Sequence, residues 1–153
     1  MALDPDRLDW LRRNSRVTLD REGRFFFQGR LVEHPRVRRL FHQGLRQTDD
    51  GLVLQVGEQW CFVESVEDAA WFVEKAAVEY GRVLLSLADG AVEPLDADSL
   101  TRRGDSDLYC TLSGGRRARF LRDAVVALSP WIDEENGTFG LRLADGFHRM
   151  RAE

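Results

Sequence analysis

The sequence predicts an α+β fold of two related lobes, each a small antiparallel sheet with one packed helix, plus a short N-terminal helix. The first supporting observation is that β-rich runs recur in pairs around Gly-containing turns, which is the pattern of antiparallel hairpins. The second is that the order strand, turn, arginine-led helix and hairpin occurs twice. We therefore predict an internal repeat of about 45 residues, although the sequence identity between its copies is weak.

The length and the charge of the chain restrict its class. Its 153 residues suit one domain or two small lobes, and a chain of this size buries roughly two-thirds of its unfolded surface without a disulfide. The net charge of −4 gives no bulk attraction to nucleic acid or to anionic lipid. We therefore expect neither a nucleic-acid partner nor a membrane partner, and the oligomeric state stays open.

The cysteines and the N-terminus indicate a cytoplasmic protein. Cys61 and Cys110 stand alone, outside any CxxC motif, as is typical of a reducing compartment. The first residues are charged rather than apolar, and no apolar run approaches the length of a transmembrane helix. We therefore expect a cytoplasmic location without a targeting segment.

The N-terminal part of the chain predicts a helix and two hairpins. Asp4 and Pro5 form a helix-start signal, so residues 5–13 are predicted to be a short helix. Residues 17–29 and residues 52–66 each contain two β-rich runs around turn residues, which indicates two hairpins.

A second helix is predicted from Pro35 to about Arg46. The residues at the spacing of one buried stripe are Val37, Leu40, Phe41 and Leu45. The residues of the neighbouring exposed stripe are Arg36, Arg39, Gln43 and Arg46.

Residues 66–80 are ambiguous on composition alone. The alanines and the Glu–Lys pairs favour a helix, whereas the aromatic and β-branched residues between Trp71 and Tyr80 favour a strand. Asp89 and Gly90 then mark a turn between two further strands.

The polar segment 96–106 is predicted to be a linker between a first lobe, residues 1–95, and a second lobe, residues 107–153. The second lobe is predicted to contain a strand, a Gly–Gly turn, a helix that opens with arginines, and hairpins that turn at Asn136–Gly137 and Asp145–Gly146. The buried face of that helix is predicted to consist of Phe120, Leu121, Ala124, Val125 and Leu128.

Both predicted arginine-led helices carry positive charge at the positive end of the helix dipole. Each such charge costs about a few tenths of a kcal/mol, and a bound phosphate or partner carboxylate would reverse that sign. The alternative is a solvated face, because arginine is abundant in this chain and salt screens exposed charges over about 10 Å. The candidate binding residues are Arg36, Arg38, Arg39, Ser113, Gly114, Gly115, Arg116, Arg117 and Arg119.

The sequence predicts no catalytic residues, no metal site and no cofactor. Cys61 lies between two aromatic residues in a predicted strand, where burial would raise the pKa of its thiol. The three histidines, His34, His42 and His148, are too far apart along the chain to resemble a closed metal site.

Residues 17–128 resemble the bacterial Domain of Unknown Function 1285 family. The resemblance rests on "DREGRFFFQGRLVEHPRVRRLF", "DDGLVLQVGEQWCFV" and "VEDAAWFV", and more loosely on "DLYCTLSGGRRARFLRDAVVAL". Glu22 replaces the family's Asp before Gly23, and Ala70–Trp71 replaces Pro–Phe. The resemblance implies a bacterial α+β protein built from structural repeats, a strand at residues 71–80, and a role in sensing a ligand or partner in signalling. It implies no catalytic residues.

These observations favour a non-catalytic binding or signalling module that recognises an anionic small molecule or an acidic protein surface. One alternative is a hydrolase or transferase whose site is not visible in the sequence. A third possibility is a structural partner that associates through an exposed apolar surface.

Overall fold

A computed structural model describes residues 4–153, which fold as an α+β protein of two compact units. The first unit ends at Ala70 and the second runs from Trp71 to Glu153. This boundary differs from the predicted lobes 1–95 and 107–153, because the strands between residues 71 and 95 belong to the sheet of the second unit. Among the described residues no helix is both long enough and apolar enough to cross a membrane.

The first unit combines helices α1 and α2 with two small sheets, of strand order β3-β2-β1-β7 and β4-β5-β6. The predicted N-terminal helix and both predicted hairpins are confirmed. The helices are α1 (Pro5–Arg13) and α2 (Pro35–Gly44). The strands are β1 (Val17–Leu19), β2 (Phe25–Phe27), β3 (Arg30–Leu31), β4 (Leu45–Thr48), β5 (Gly51–Val56), β6 (Gln59–Phe62) and β7 (Ser65–Val66).

The second unit is built on a seven-stranded sheet of order β10-β9-β8-β13-β12-β11-β17, with helix α3 and a separate meander β14-β15-β16. The helix is α3 (Arg122–Leu128), and a 3-10 turn spans Ala97–Ser99. The strands are β8 (Trp71–Glu79), β9 (Arg82–Leu87), β10 (Val92–Pro94), β11 (Thr101–Arg103), β12 (Asp107–Thr111), β13 (Arg117–Phe120), β14 (Ile132–Glu135), β15 (Thr138–Leu143), β16 (Gly146–Arg149) and β17 (Arg151–Ala152).

The ambiguous segment is a strand, as the family resemblance implied. β8 pairs antiparallel with β9 and parallel with β13, so it lies in the interior of the sheet. Phe72 and Val73 are fully buried there, and the packing of large apolar side chains outweighs the helix propensity of the neighbouring alanines.

The predicted linker is part of the second unit rather than a connection between lobes. Leu100 is fully buried and Ala97 is buried beside it, so this polar segment is anchored by its apolar residues. β11 then pairs antiparallel with β12 and parallel with β17. Asp96 caps the preceding turn, where its carboxylate accepts a hydrogen bond from the amide of Asp98 at 3.2 Å.

The predicted arginine-led helix of the second lobe is wrong in its first half. Residues 117–120 form strand β13, between β8 and β12, and the helix begins only at Arg122. The sequence Arg-Ala-Arg-Phe alternates with the period of a strand, so that Ala118 and Phe120 enter the hydrophobic core. Arg117 and Arg119 therefore do not lie at a helix N-terminus.

The order of elements in the first unit recurs in the second. The strands β1, β2 and β3 precede α2, and β11, β12 and β13 precede α3 after the additional strands β8–β10. In both cases a three-stranded meander follows the helix, and a last short strand pairs parallel with the first of the three strands (β7 with β1, β17 with β11). The meanders also share their register, because the pair Leu45 and Leu54 corresponds to Ile132 and Leu141, each 87 positions later. The two meanders can therefore be compared position by position.

Candidate functional site

Helix α2 carries the first group of predicted site residues. It begins at Pro35, so Arg36, Arg38 and Arg39 lie in its first turns as predicted. His34 caps the helix, and its Nδ1 accepts a hydrogen bond from the backbone amide of Arg36 at 3.2 Å. Because the imidazole already uses one amide, a bound anion would depend on the arginine side chains rather than on the helix N-terminus alone.

The buried side of α2 is only partly the predicted one. Of the predicted buried stripe, Leu45 is buried and Phe41 is half-buried, but Val37 and Leu40 are 38% and 45% exposed. The helix turns Phe41 and the unpredicted His42 inward, with both rings in edge contact with the ring of Phe25 at 5.4 and 4.8 Å between centroids.

A buried hydrogen bond and a close backbone approach explain this orientation. The Nε2 atom of His42 lies 3.0 Å from the carbonyl oxygen of Gly23, to which it donates. At the end of the helix, a Cβ added to Gly44 would lie 2.1 Å from the carbonyl oxygen of Gln55. The first contact orients the helix towards the turn between β1 and β2, and the second brings its end close to β5. The apolar periodicity of the sequence reports neither contact.

The outer surface of the helix combines positive charge with apolar side chains. Arg36, Val37, Arg39 and Leu40 are all exposed, and we call this surface the α2 face. Residues 36 and 40, like 37 and 40, are neighbours on a helix surface, so the two apolar side chains lie among the guanidinium groups. Such a surface can bind an acidic group and an apolar group at the same time.

The second group of predicted residues surrounds an internal carboxylate. Glu93 accepts hydrogen bonds from the Ser113 backbone amide at 2.9 Å and from the Ser113 hydroxyl at 3.2 Å. Arg116 pairs with the same carboxylate at 3.3 Å and donates through Nε to the Ser113 carbonyl at 3.1 Å. Within the loop Ser113–Gly115, Ser113 thus contacts a carboxylate of the chain itself, whereas the amide of Gly115 donates to the carbonyl oxygen of Leu112.

Arg117 and Arg119 also have partners within the second unit. Arg119 donates to the Tyr109 hydroxyl and to the Asp107 carboxylate, each at 2.9 Å. Burial opposes the charge of Arg119, but the hydrogen bond and charge of Asp107 outweigh it and raise the pKa of the guanidinium. The Arg117 guanidinium carbon lies 3.8 Å from the centroid of the Tyr109 ring.

Arg117 is paired in addition with the C-terminal residue. It donates to the carboxylate of Glu153, and that hydrogen bond lowers the pKa of the Glu153 side chain. The two predicted groups belong to different units of the chain. Each arginine of the second group has an acidic partner.

The thiols of the chain have the wrong ionisation for nucleophilic catalysis. Burial raises the pKa of Cys110 to about 12 and also raises the pKa of Cys61 above its usual value. A thiol in that state is protonated at neutral pH, and the thiolate is the nucleophile. Within residues 4–153 no group of three or more His, Cys, Asp or Glu side chains is placed to hold a metal ion.

His148 lies between two carboxylates. Its Nδ1 lies 2.9 Å from Asp98 and its Nε2 lies 2.8 Å from Asp145. These hydrogen bonds, first that of Asp145 and then that of Asp98, raise the pKa of His148. The ring lines a cavity of about 320 Å³ together with three carboxylates, those of Asp96, Asp98 and Asp145.

Sequence reasoning missed the features that decide the role of each arginine. Glu93 lies in an edge strand, and no short-range pattern connects it with a loop twenty residues later. The exposure of Val37 and Leu40 was also missed. The available signal is His42, which directly follows Phe41 and suggests that the inward side of the helix is rotated by one position relative to the predicted stripe. Both features depend on contacts between elements that are distant in sequence.

The fold is that of solved DUF1285 family proteins. A DUF1285 family protein from Silicibacter pomeroyi DSS-3 matches with a TM-score of 0.70 and 19% identity, covering 89% of this chain and 79% of that chain. A second, from Shewanella baltica OS155, matches with a TM-score of 0.59 and 18% identity, covering 76% of this chain and 91% of that chain. No protein-family model and no curated protein matches the sequence. The family resemblance seen in the sequence is thus confirmed for the fold.

Proposed function

We propose that this chain is a non-catalytic binding module that docks an acidic protein surface on the α2 face. The observation that carries the proposal is the exposure of Val37 and Leu40 beside Arg36 and Arg39. These two apolar side chains remain outside the hydrophobic core, although the helix contains polar residues that could have faced the solvent instead.

The chemistry of the α2 face favours a protein over a small anion. A phosphate would pair with the arginines but would leave Val37 and Leu40 in water. A protein surface with carboxylates around an apolar centre would pair with the guanidinium groups and cover the apolar side chains together. Protein interfaces commonly have this arrangement, an apolar centre with arginine enriched relative to the remaining surface.

The predicted arginines of the second unit are poorer candidates for such docking. These residues, Arg116, Arg117 and Arg119, pair with Glu93, Glu153 and Asp107. Carboxylates of the same chain already pair with these three guanidinium groups, so an acidic partner would have to displace those carboxylates. The recurring order of elements further supports the proposal that the chain contains an internal repeat, in which only the first copy uses its helix for binding.

The test measures, by fluorescence anisotropy, the binding of a synthetic helical peptide with a stripe of leucines along one face and glutamates directly beside that stripe. We expect Arg36→Glu with Arg39→Glu to weaken binding at least about tenfold, a loss of about 1.4 kcal/mol. Val37→Ser with Leu40→Ser should weaken it as well, while a peptide with glutamine in place of glutamate should bind the parent poorly.

The control variant is Arg7→Glu with Arg16→Glu, which makes the same change of charge at exposed positions of the same unit. It should bind the peptide nearly as well as the parent, apart from a general electrostatic effect that added salt removes. Equal affinities for the parent, the α2 variants and the control would refute docking on the α2 face.

A further inference from the structure

A cavity in the second unit has the shape and the chemistry of a small-molecule site. It has a volume of about 500 Å³ and lies between the turn after β11, helix α3, the meander and Met150. Ligand pockets of proteins occupy about 300–1,000 Å³ and are mostly apolar with a few placed polar groups. The apolar lining residues are Leu108, Val125, Ile132, Phe139 and Met150.

We propose that this cavity binds a small molecule with an apolar body and a single acidic group, and that Arg102 pairs with the acid. This site is separate from the α2 face and does not depend on the function proposed for it.

Arg102 is the positively charged group in the lining. One of its terminal nitrogens donates to the carbonyl of Gly104 at 2.9 Å, and its guanidinium carbon lies 5.4 Å from the centroid of the Phe139 ring. Its Nε is buried and out of reach of a ligand, so the acid would pair with the terminal nitrogens of the guanidinium group. Hydrogen bonds between a guanidinium group and a carboxylate or sulfonate are charge-assisted and therefore among the stronger ones.

The acidic residues of the lining do not oppose this assignment. Asp107 is paired with Arg119 at 2.9 Å, so its charge is already compensated. Asp105 is exposed on the turn, where water screens its charge. The charge available to a ligand within the cavity is therefore that of Arg102.

Comparison with the first unit shows that the cavity is not a general property of the repeated topology. With the offset of 87 positions, Ile132 and Phe139 correspond to Leu45 and Leu52, which are both buried. Ile132 is only half-buried and Phe139 is 42% exposed. Positions that complete the core in the first unit thus form the open wall of a cavity in the second.

The experiment uses two fluorescent probes with the full chain. 8-Anilinonaphthalene-1-sulfonate has an aromatic body and one negative charge, and N-phenyl-1-naphthylamine is its neutral counterpart. We expect the anionic probe to bind the parent and to be displaced by octanoate but not by octylamine. Arg102→Gln should raise the Kd of the anionic probe about tenfold and leave the Kd of the neutral probe unchanged.

Two further variants locate the binding. Arg149→Gln, a matched change at an exposed position of the same unit, should have no effect on either probe. Val125→Phe should fill the cavity and weaken both probes, with folding of every variant checked by thermal unfolding. The proposal is overturned if the anionic probe does not bind the parent, if Arg102→Gln binds it as the parent does, if Val125→Phe leaves both probes unaffected, or if octylamine is the better competitor.

Discussion

At the scale of single residues, the charges of this chain are organised by partners that are distant in sequence. Glu93 accepts hydrogen bonds from the backbone amide and the hydroxyl of Ser113 and pairs with Arg116, groups that would also suit a bound phosphate. A carboxylate and a phosphate present similar acceptor oxygens to backbone amides and guanidinium groups. A group of arginines beside a glycine turn in the sequence therefore indicates where an anion could bind. It does not indicate whether that anion is a side chain of the same protein or a ligand.

The role of Glu93 leads to a stability prediction. Glu93→Gln should lower the free energy of unfolding by about 1 kcal/mol, because it removes the ion pair with Arg116 and weakens two hydrogen bonds to Ser113. Urea unfolding of the variant and the parent measures the difference. Glu79→Gln changes an exposed carboxylate on β8 and should have an effect within about 0.5 kcal/mol. A Glu93 variant as stable as this control would show that the loop does not depend on its carboxylate.

His148 predicts how stability changes with pH. The hydrogen bonds from Asp145 and Asp98 raise its pKa in the folded state above the usual value of about 6.5. Their stabilising contribution is therefore complete below about pH 6.5 and is lost as the pH rises through the folded-state pKa. The pKa of Asp145 is lowered by the same contact, so its contribution is lost as the pH falls below the usual range of a carboxyl.

The measurement is the urea midpoint of the parent and of His148→Gln between pH 5.5 and pH 9. The parent should lose stability across the alkaline part of that range, and the loss should be smaller in His148→Gln. The effect should also shrink in high salt, because both carboxylates are largely exposed. Parallel pH profiles for the two proteins would exclude His148 as the titrating group.

At the scale of elements, the sequence predicted where helices and hairpins lie better than it predicted which side they bury. The start of α2 at Pro35 followed from a local signal, since proline is preorganised for the first helical position. The buried side did not follow, because His42 finds a backbone carbonyl in the turn between β1 and β2. The start of α3 was missed for a similar reason, since pairing with β8 and β12 extends Arg117–Phe120 as a strand.

The junction of α2 and β4 gives an element-scale prediction. Gly44→Ala should destabilise the protein by about 2–3 kcal/mol, because its Cβ would lie 2.1 Å from the carbonyl oxygen of Gln55 and the backbone would have to shift. Gly57→Ala is the comparison, since its φ is +63° but no atom lies within 4 Å of the added Cβ. That variant should lose only the cost of a left-handed backbone, about 1 kcal/mol. Equal losses of stability in the two variants would mean that the carbonyl oxygen of Gln55 does not crowd a side chain at position 44.

The exposed arginine at the start of α2 gives a second prediction at this scale. Arg36→Glu should raise the free energy of unfolding by about 0.3–1 kcal/mol in low salt, because it places an acid at the positive end of the helix dipole. Thermal unfolding measures the change, with Arg7→Glu on α1 as a second helical site. A gain in stability together with a loss of peptide binding is the expected signature of a residue kept for function. A loss of stability would indicate that Arg36 has a structural role.

At the scale of the whole molecule, the fold class could be predicted and the division of the chain could not. Local patterns give hairpins, turns and helix starts, and these together indicate an α+β fold. The division depends on which strands pair, and the parallel pairing of β8 with β13 joins residues that are nearly fifty positions apart. A polar segment such as 96–106 looks like a linker unless the burial of Leu100 is known.

The observed division predicts which fragments fold. A core of buried residues lies wholly between Val73 and Met150, so a fragment of residues 71–153 should unfold cooperatively in urea. A fragment of residues 107–153, the lobe predicted from the sequence, lacks β8. One edge of β13 is then unpaired, and the side chains of Ala118 and Phe120 lose much of their packing. It should therefore show no cooperative transition and should bind the anionic probe nonspecifically, as partly folded chains do. Two-dimensional NMR spectra of both fragments provide the comparison, with the full chain as the reference for native chemical shifts. Dispersed, native-like spectra from residues 107–153 alone would mean that the boundary before β8 is not the one that governs folding.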